Sequence, residues 1–521
     1  MFQRSFYWLS ILLGVMKITL GEQQLPRPSF LICISESHAA KLWGPLNQFG
    51  SELDPTPNLS MVAQQGFRHF SAYCTNANVG KSAHSLQTGR TNHSNLDHYS
   101  EPNYLGKHFE ELGYDTAIFG KWGWDNSPNQ LGFSNWGTLE DEDIFYNPKI
   151  NTPQGTTLLE GHTTDIITDL AIQWLEEGRE DQKPFFLLLV YQGTQRPWIP
   201  PIRMIEKFND EWFEVPETFF SDFSTRTPSN KYQDMNIVQD LDNINDLFLK
   251  GWFEQNASEV KSSILAKNLE RMNDEQDSAW KLSWKPQNEA FARESHNPES
   301  LAVWKFQRFF KNYLRCIFTI DENIARIFDK LEEAPNHSTH FIYTAERGRF
   351  CGEFGWFGSQ WMYEPSAKIP FIFSSINAKN KPSLDPEKIF LDTDLYPFIK
   401  RLSAPETPTE SRNRKSKKEK SLFFTQHTYP NPYRVTPHIG LRQGRYKIIY
   451  YYPFNEWEFY DLESDPHEKE NLSNNTSKID LFHAFRKKLM NTAKSENIER
   501  YYEEFSEDWR REQRSPNKKS R

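Results

Sequence analysis

Short continuous apolar runs, each bounded by turn residues, recur at 30–34, 116–119, 185–191, 341–344 and 369–373. Between them apolar residues return every three or four positions, as at Leu105, Phe109 and Leu112 or at Ile166, Leu170 and Trp174, which is the helical period. The longest such pattern covers 303–331 and places Phe306, Phe310, Tyr313, Ile317, Ile320, Ile324, Ile327 and Leu331 on one face. Strands that are apolar throughout and alternate with helices predict a mostly parallel, mixed α/β sheet covered on both faces. In such a sheet, sites form at the carboxyl ends of the strands.

From about 203 to 300 the period lapses into polar sequence rich in Trp and Phe, which reads as a long insertion in a main domain over 27–403. Residues 404–420, APETPTESRNRKSKKEK, read as a basic flexible linker. Two strand-like runs follow, RYKIIYYY and EWEFYDL, then an amphipathic pattern from about Ile479 to Met490. They predict a small antiparallel sheet with one covering helix over 421–500, and a charged tail over 501–521.

Composition narrows the class. A chain of 521 residues with 37% hydrophobic and 15% aromatic content buries a large core. A formal net charge of −9 gives no basic face for nucleic acid. Arg4, the apolar stretch 6–15 and the small residues Thr19 and Gly21 read as a signal peptide over 1–21, despite Lys17 near the cut. No later segment is long and apolar enough for a membrane span, so the expected location is secreted or within the secretory and lysosomal route. Asn-x-Ser/Thr sites at Asn58, Asn92, Asn256, Asn336, Asn471, Asn474 and Asn475 suit a glycoprotein. Cys33 and Cys316 lie in apolar patterns and read as buried thiols, while Cys74 and Cys351 are left open between a pair and free thiols.

Eight stretches then stand together in order: RPSFLICISES, TPNLSMVAQQGFRHFSAYCTN, LQTGR, LGYDTAIFGKW, PFFLLLVYQGTQRPW, YTAERG, GEFGWFGSQWMYEPS and RYKIIYYYPFNEWEFYDLESDPHEKENL. With them the chain resembles the arylsulfatase-like sulfatases of the alkaline phosphatase superfamily from about Arg27 to Leu472, and most of all the branch acting on sulfated glycans. The resemblance implies that family's α/β fold and its chemistry. A cysteine in Cys-x-Pro/Ala-x-Arg, oxidised to formylglycine, attacks sulfur; calcium held by Asp and Asn polarises the sulfate; Lys and His manage charge and protons.

The family positions are filled otherwise here. Counting back from Thr88-Gly89-Arg90 sets Val79 at the modified cysteine, Lys81 at the Pro/Ala and Ala83 at the motif arginine, and an isopropyl group is no nucleophile. The paired aspartates fall on Glu36 and Ser37, and the later Asp-Asn or Asp-His pair on Glu346 and Arg347. A guanidinium is incompatible with a calcium shell of six to eight oxygens, so neither calcium nor formylglycine is expected. Lys121 is kept, but Gly123, Gln195, Phe354 and Ser359 replace two histidines, the GEHG histidine and a lysine respectively. Arg347 is expected to pair with Glu36 and Glu346.

His427, Arg434 and His438 in QHTYPNPYRVTPH resemble the substrate side of the glycan branch, with ordinary packing as the competing reading. Two functions remain at this stage. One is a secreted, catalytically silent protein that binds a sulfated glycan or another protein. The other is a sulfuric ester hydrolase using Ser82 or Thr75 with an altered metal site, although neither His84 nor Lys81 has a recognisable orienting partner.

Overall fold

The computed structural model describes residues 27–91, 104–180, 183–249, 263–293, 297–333, 338–377, 384–385, 388–404, 420–427, 431–499 and 502–513. The signal peptide, most of the basic linker, and Asn92, Asn256 and Asn336 lie outside them.

The strands in chain order are β1 (Ser29–Ser37), β2 (Phe67–Arg68), β3 (Ala72–Tyr73), β4 (Asp115–Gly120), β5 (Asn135–Leu139), β6 (Lys149–Thr152), β7 (Gly155–Leu158), β8 (Phe185–Tyr191), β9 (Thr339–Arg347), β10 (Phe371–Ile376), β11 (Phe390–Leu391), β12 (Ser421–Gln426), β13 (His438–Gln443), β14 (Tyr446–Tyr451) and β15 (Glu456–Asp461). Nine form the main sheet in the order β2-β10-β9-β1-β8-β4-β5-β6-β7. Its centre, from β9 to β5, is parallel, and antiparallel strands close both edges.

β1 is buried along its whole length because both faces are covered. Phe30, Ile32 and Ile34 enter one apolar cluster, and Leu31 and Cys33 the other. That is the period-2 alternation of a strand expressed in two cores at once.

The long apolar pattern is one helix, Pro298–Glu332, with Asn297 as N-cap accepting from the Ser300 N–H at 2.8 Å and Pro298 in the first turn. It buries all eight residues of the predicted face. One of them, Tyr313, clamps the end of β1: its hydroxyl donates to the Ser37 carbonyl at 2.7 Å and accepts from the Ala39 N–H at 2.9 Å. The functional end of the sheet is thereby fixed by packing and hydrogen bonds.

The insertion is more regular than its sequence suggests. It contains helices Ile264–Arg271 and Asp274–Arg293, and Trp280 and Trp284 are fully buried against Phe248. β12 to β15 form the small antiparallel sheet, covered by Ile479–Ser495. The charged tail is in part a helix, Tyr502–Gln513, whose Trp509 packs edge-on against Tyr232 and Phe454. All four cysteines are free and buried, so Cys74 and Cys351 do not pair.

Candidate functional site

The carboxyl ends of β1, β9 and β4 converge. Ser37 and Arg347 are register partners across β1 and β9, so their side chains meet at short range. The Arg347 Nε donates to Ser37 Oγ at 3.1 Å, and Nη2 donates to Glu36 Oε1 at 2.9 Å. Lys121, directly after β4, gives its ammonium to the other oxygen, Glu36 Oε2, at 3.0 Å and reaches Glu142 Oε2 at 3.1 Å. Both Glu36 oxygens are thus taken by cations, and the cluster is nearly shut off from water (Glu36 4%, Arg347 7% exposed).

Charge follows from that arrangement. Burial alone would raise the Glu36 carboxyl, but the nearby charges of Lys121 and Arg347 outweigh it and hold it below its usual range. Burial lowers the Lys121 ammonium, and Glu36, Glu346 and Glu142 together reverse this and raise it.

Glu346 departs from expectation. Arg347 does not pair with it; Glu346 Oε2 is buried without a hydrogen-bond partner, and burial pushes the carboxyl up to about 8 against the pull of Lys121. The reason is geometric: the guanidinium is already engaged by Glu36 and Ser37. Burial therefore favours the protonated form of Glu346.

Val79 opens the helix Val79–Thr88, capped by Asn78, whose side chain accepts from the Lys81 N–H at 3.2 Å. Gly89, left-handed at φ 68°, ends it and donates to the Ser85 carbonyl, the turn that LQTGR anticipates. Lys81 and Ala83 are half-buried on this helix. Ser82 Oγ donates to the Glu346 backbone carbonyl and lies 3.4 Å from Asp392 Oδ2. Thr75 donates both its N–H (3.0 Å) and its hydroxyl (3.2 Å) to the same Asp392 oxygen. Both hydroxyls are fully buried, and both face the same Asp392 carboxylate. His84 packs its ring against Tyr104 and Trp124.

The remaining positions scatter. Gly123 is exposed, and a Cβ there would come no closer than 3.9 Å to Glu142. Gln195 Nε2 lies 3.4 Å from Asp143 Oδ1. Phe354 is buried at a left-handed φ of 59°, with the Arg226 guanidinium 3.6 Å above its ring, while Ser359 is fully buried with its hydroxyl unpartnered. An aromatic cation contact thus stands where the resemblance sets a histidine.

The substrate-side candidates turn inward. His438 uses both nitrogens, Nδ1 on the Thr436 carbonyl at 2.8 Å and Nε2 accepting from the Met362 N–H at 3.2 Å, and burial lowers it to about 4. His427 bonds Tyr452 at 2.9 Å and stacks on Phe505 of the terminal helix. Arg434 reaches Asp234 of the insertion at 3.4 Å. All three hold the small subdomain in place.

Two sequons fall to the same scrutiny. Asn58 Nδ2 donates to Asp321 at 2.8 Å, and Asn471 bonds the Phe459 N–H and the Trp457 carbonyl, so these amides are spent in the fold. Asn474 is exposed, and Asn475 accepts from Ser477.

Glu142 and Asp392 are the participants that sequence reasoning misses. Glu142 sits in the acidic run EDED, where nothing marks one carboxylate over the others. Asp392 is fully buried, and burial pushes its carboxyl up to about 7 against the hydrogen bonds of Thr75 and Thr393.

Comparison with known proteins agrees with the architecture. The sulfatase family model matches residues 28–399, and the model of the N-sulphoglucosamine sulphohydrolase C-terminal region matches 352–495. The chain is 28% identical over 474 residues to an N-acetylglucosamine-6-O-sulfatase of Bacteroides thetaiotaomicron, covering 87% of this chain and 83% of that protein. It is 23% identical over 495 residues to a sulfatase of Formosa agariphila, covering 85% and 83%. A solved structure in complex with its substrate D-glucosamine-2-N,6-O-disulfate superposes with a TM-score of 0.78 at 26% identity, covering 95% of this chain and all of that one.

Proposed function

The chain belongs to the sulfatase family, and on that premise we propose that it is a non-hydrolytic member that holds a sulfated glycan rather than cleaving it. One observation carries the reading: the strand-end positions that the resemblance assigns to metal ligands are joined by Arg347 and Lys121, one on each oxygen of Glu36. A divalent cation placed there would compete with two internal cations for the Glu36 carboxylate and would meet in Glu346 a carboxyl whose protonated form burial favours. The donor set does not fit calcium.

Val79 supports the same reading, since it has no heteroatom with which to attack sulfur. Sulfated glucosamine is the favoured ligand class because the Bacteroides relative is an N-acetylglucosamine-6-O-sulfatase and the solved complex holds D-glucosamine-2-N,6-O-disulfate. A secretory route fits the signal-peptide pattern of the first 21 residues, and among the described residues no helix is long and apolar enough to cross a membrane.

The test is a turnover assay of the purified chain on aryl sulfates, glucosamine 6-sulfate, glucosamine N-sulfate and the matching phosphate esters, with calcium and with chelator. Product release at background is expected in every case. Saturable, metal-dependent release that survives a second purification route overturns the proposal.

A further inference from the structure

At the sheet edge where β2 meets β10, a small recess of about 50 Å³ lies between Trp43, Arg68, His69, Phe70, Lys368 and Pro370. The Arg68 guanidinium is held between two aromatic rings, 4.7 Å from the Trp43 centroid and 4.8 Å from the Phe70 centroid. Among the described residues it makes no hydrogen bond and no ion pair; Asp54 is the acidic group whose charge reaches it. The Lys368 ammonium also has no ion pair among the described residues, and its charge bears on His69, as does that of Asp385. Phe70 is half exposed at the rim (50%).

A guanidinium partly withdrawn from water and left without an acceptor is costly, because its N–H groups lose hydration and gain nothing in return. Contact with two aromatic rings restricts where the guanidinium can go before any ligand arrives. Such a guanidinium suits an oxyanion that can accept two parallel bonds. Lys368 adds a second positive charge to the same wall. The rings of Trp43 and Phe70 supply flat apolar surface beside the cations, which matches a sugar carrying a charged substituent.

We infer that this recess takes the sulfate group of a sulfated saccharide, with Arg68 gripping the ester oxygens and Lys368 adding charge. The inference rests on the reading above that the chain holds a sulfated glycan, and it moves the contact from the closed strand ends to the sheet edge. The two places adjoin through one turn: a Cβ at Gly348, next to Arg347, would lie 2.3 Å from the Lys368 carbonyl oxygen.

Isothermal titration of the full chain with glucosamine 6-sulfate, unsulfated glucosamine, glucuronate and sodium sulfate tests it. The unmodified chain is expected to bind the sulfated sugar and not glucosamine. The double variant Arg68→Gln with Lys368→Gln should weaken binding at least ten-fold while melting at the same temperature, and Lys285→Gln on an exposed helix face should change nothing. Full binding by the double variant overturns the recess and leaves the glycan-holding reading intact. No binding of the sulfated sugar by the unmodified chain overturns both. Equal affinity for glucuronate or for bare sulfate overturns the assignment of a sulfated saccharide.

Discussion

Replacing Arg347 with alanine removes the guanidinium that bonds Glu36 at 2.9 Å and Ser37 at 3.1 Å in a setting where Glu36 is 4% exposed. A buried charge stranded by loss of its only partner costs roughly 3–5 kcal/mol. Glu36 is not stranded, because Lys121 stays on its other oxygen at 3.0 Å. The loss is then nearer that of two hydrogen bonds from a charged donor, about 3 kcal/mol, at the lower end of that range. The assay is chemical and thermal denaturation of the unmodified chain and of Arg347→Ala, each with millimolar calcium and with chelator. If calcium binds the unmodified chain with Kd above ~10 mM, 1 mM adds less than about 0.1 kcal/mol, which no melt would detect. Arg347→Ala with unchanged stability would show the ion pair to be incidental. A rise of several degrees with calcium in the unmodified chain would refute the argument that internal cations take the ligands.

Three further outcomes are expected. Glu346 has a folded-state pKa raised to about 8, so the folded chain keeps a proton that the unfolded chain loses near 4.5. Its contribution is present in full below that value and falls away between about 4.5 and 8, at up to about 1.4 kcal/mol per pH unit. Glu346→Gln should flatten this fall, gaining on the unmodified chain at pH 9 in a stability-versus-pH series, and an unaltered slope would exclude a buried proton. Val79→Cys, co-expressed with a formylglycine-generating enzyme, should gain neither aldehyde by mass spectrometry nor activity, because Lys81 and Ala83 break the motif. The four thiols are buried and burial raises each pKa, that of Cys351 to about 11, so a maleimide should modify them only on unfolding, and fast labelling of any one in the native chain would contradict its placement.

The core of the fold is legible because its signal is local. The runs at 30–34 and 185–191 are apolar at every position, which only a strand buried on both faces requires, and they are the central pair β1 and β8. The face from Phe306 to Leu331 is equally plain. The antiparallel edges are harder: β5 (NWGTL) and β7 (GTTL) are short, mixed in polarity and partly exposed, so no period stands out. β13 is hidden for another reason, since His438 and Arg442 break an apolar reading although the strand begins fully buried.

At the site, sequence order gives Glu36, Ser37 and Arg347 their places but not their partners. The expected Glu346–Arg347 pair fails because the Arg347 guanidinium is already engaged by Glu36 and by Ser37, its register partner across the strands. Lys121 on Glu36, and Ser82 beside Asp392, depend on contacts between residues 85 and 310 positions apart, which no spacing rule reveals.

The clamp of Tyr313 on Ser37 and Ala39 has a consequence for the history open to such a chain. The β1 terminus is tied to a helix nearly three hundred residues along the chain, so its shape does not hang on the identity of whatever fills the space in front of it. Strand-end side chains can therefore be exchanged while the backbone that presents them stays put. The charges in front of that backbone are less free: Glu36 lies between Arg347 and Lys121, so a change to any one of the three alters the balance felt by the other two.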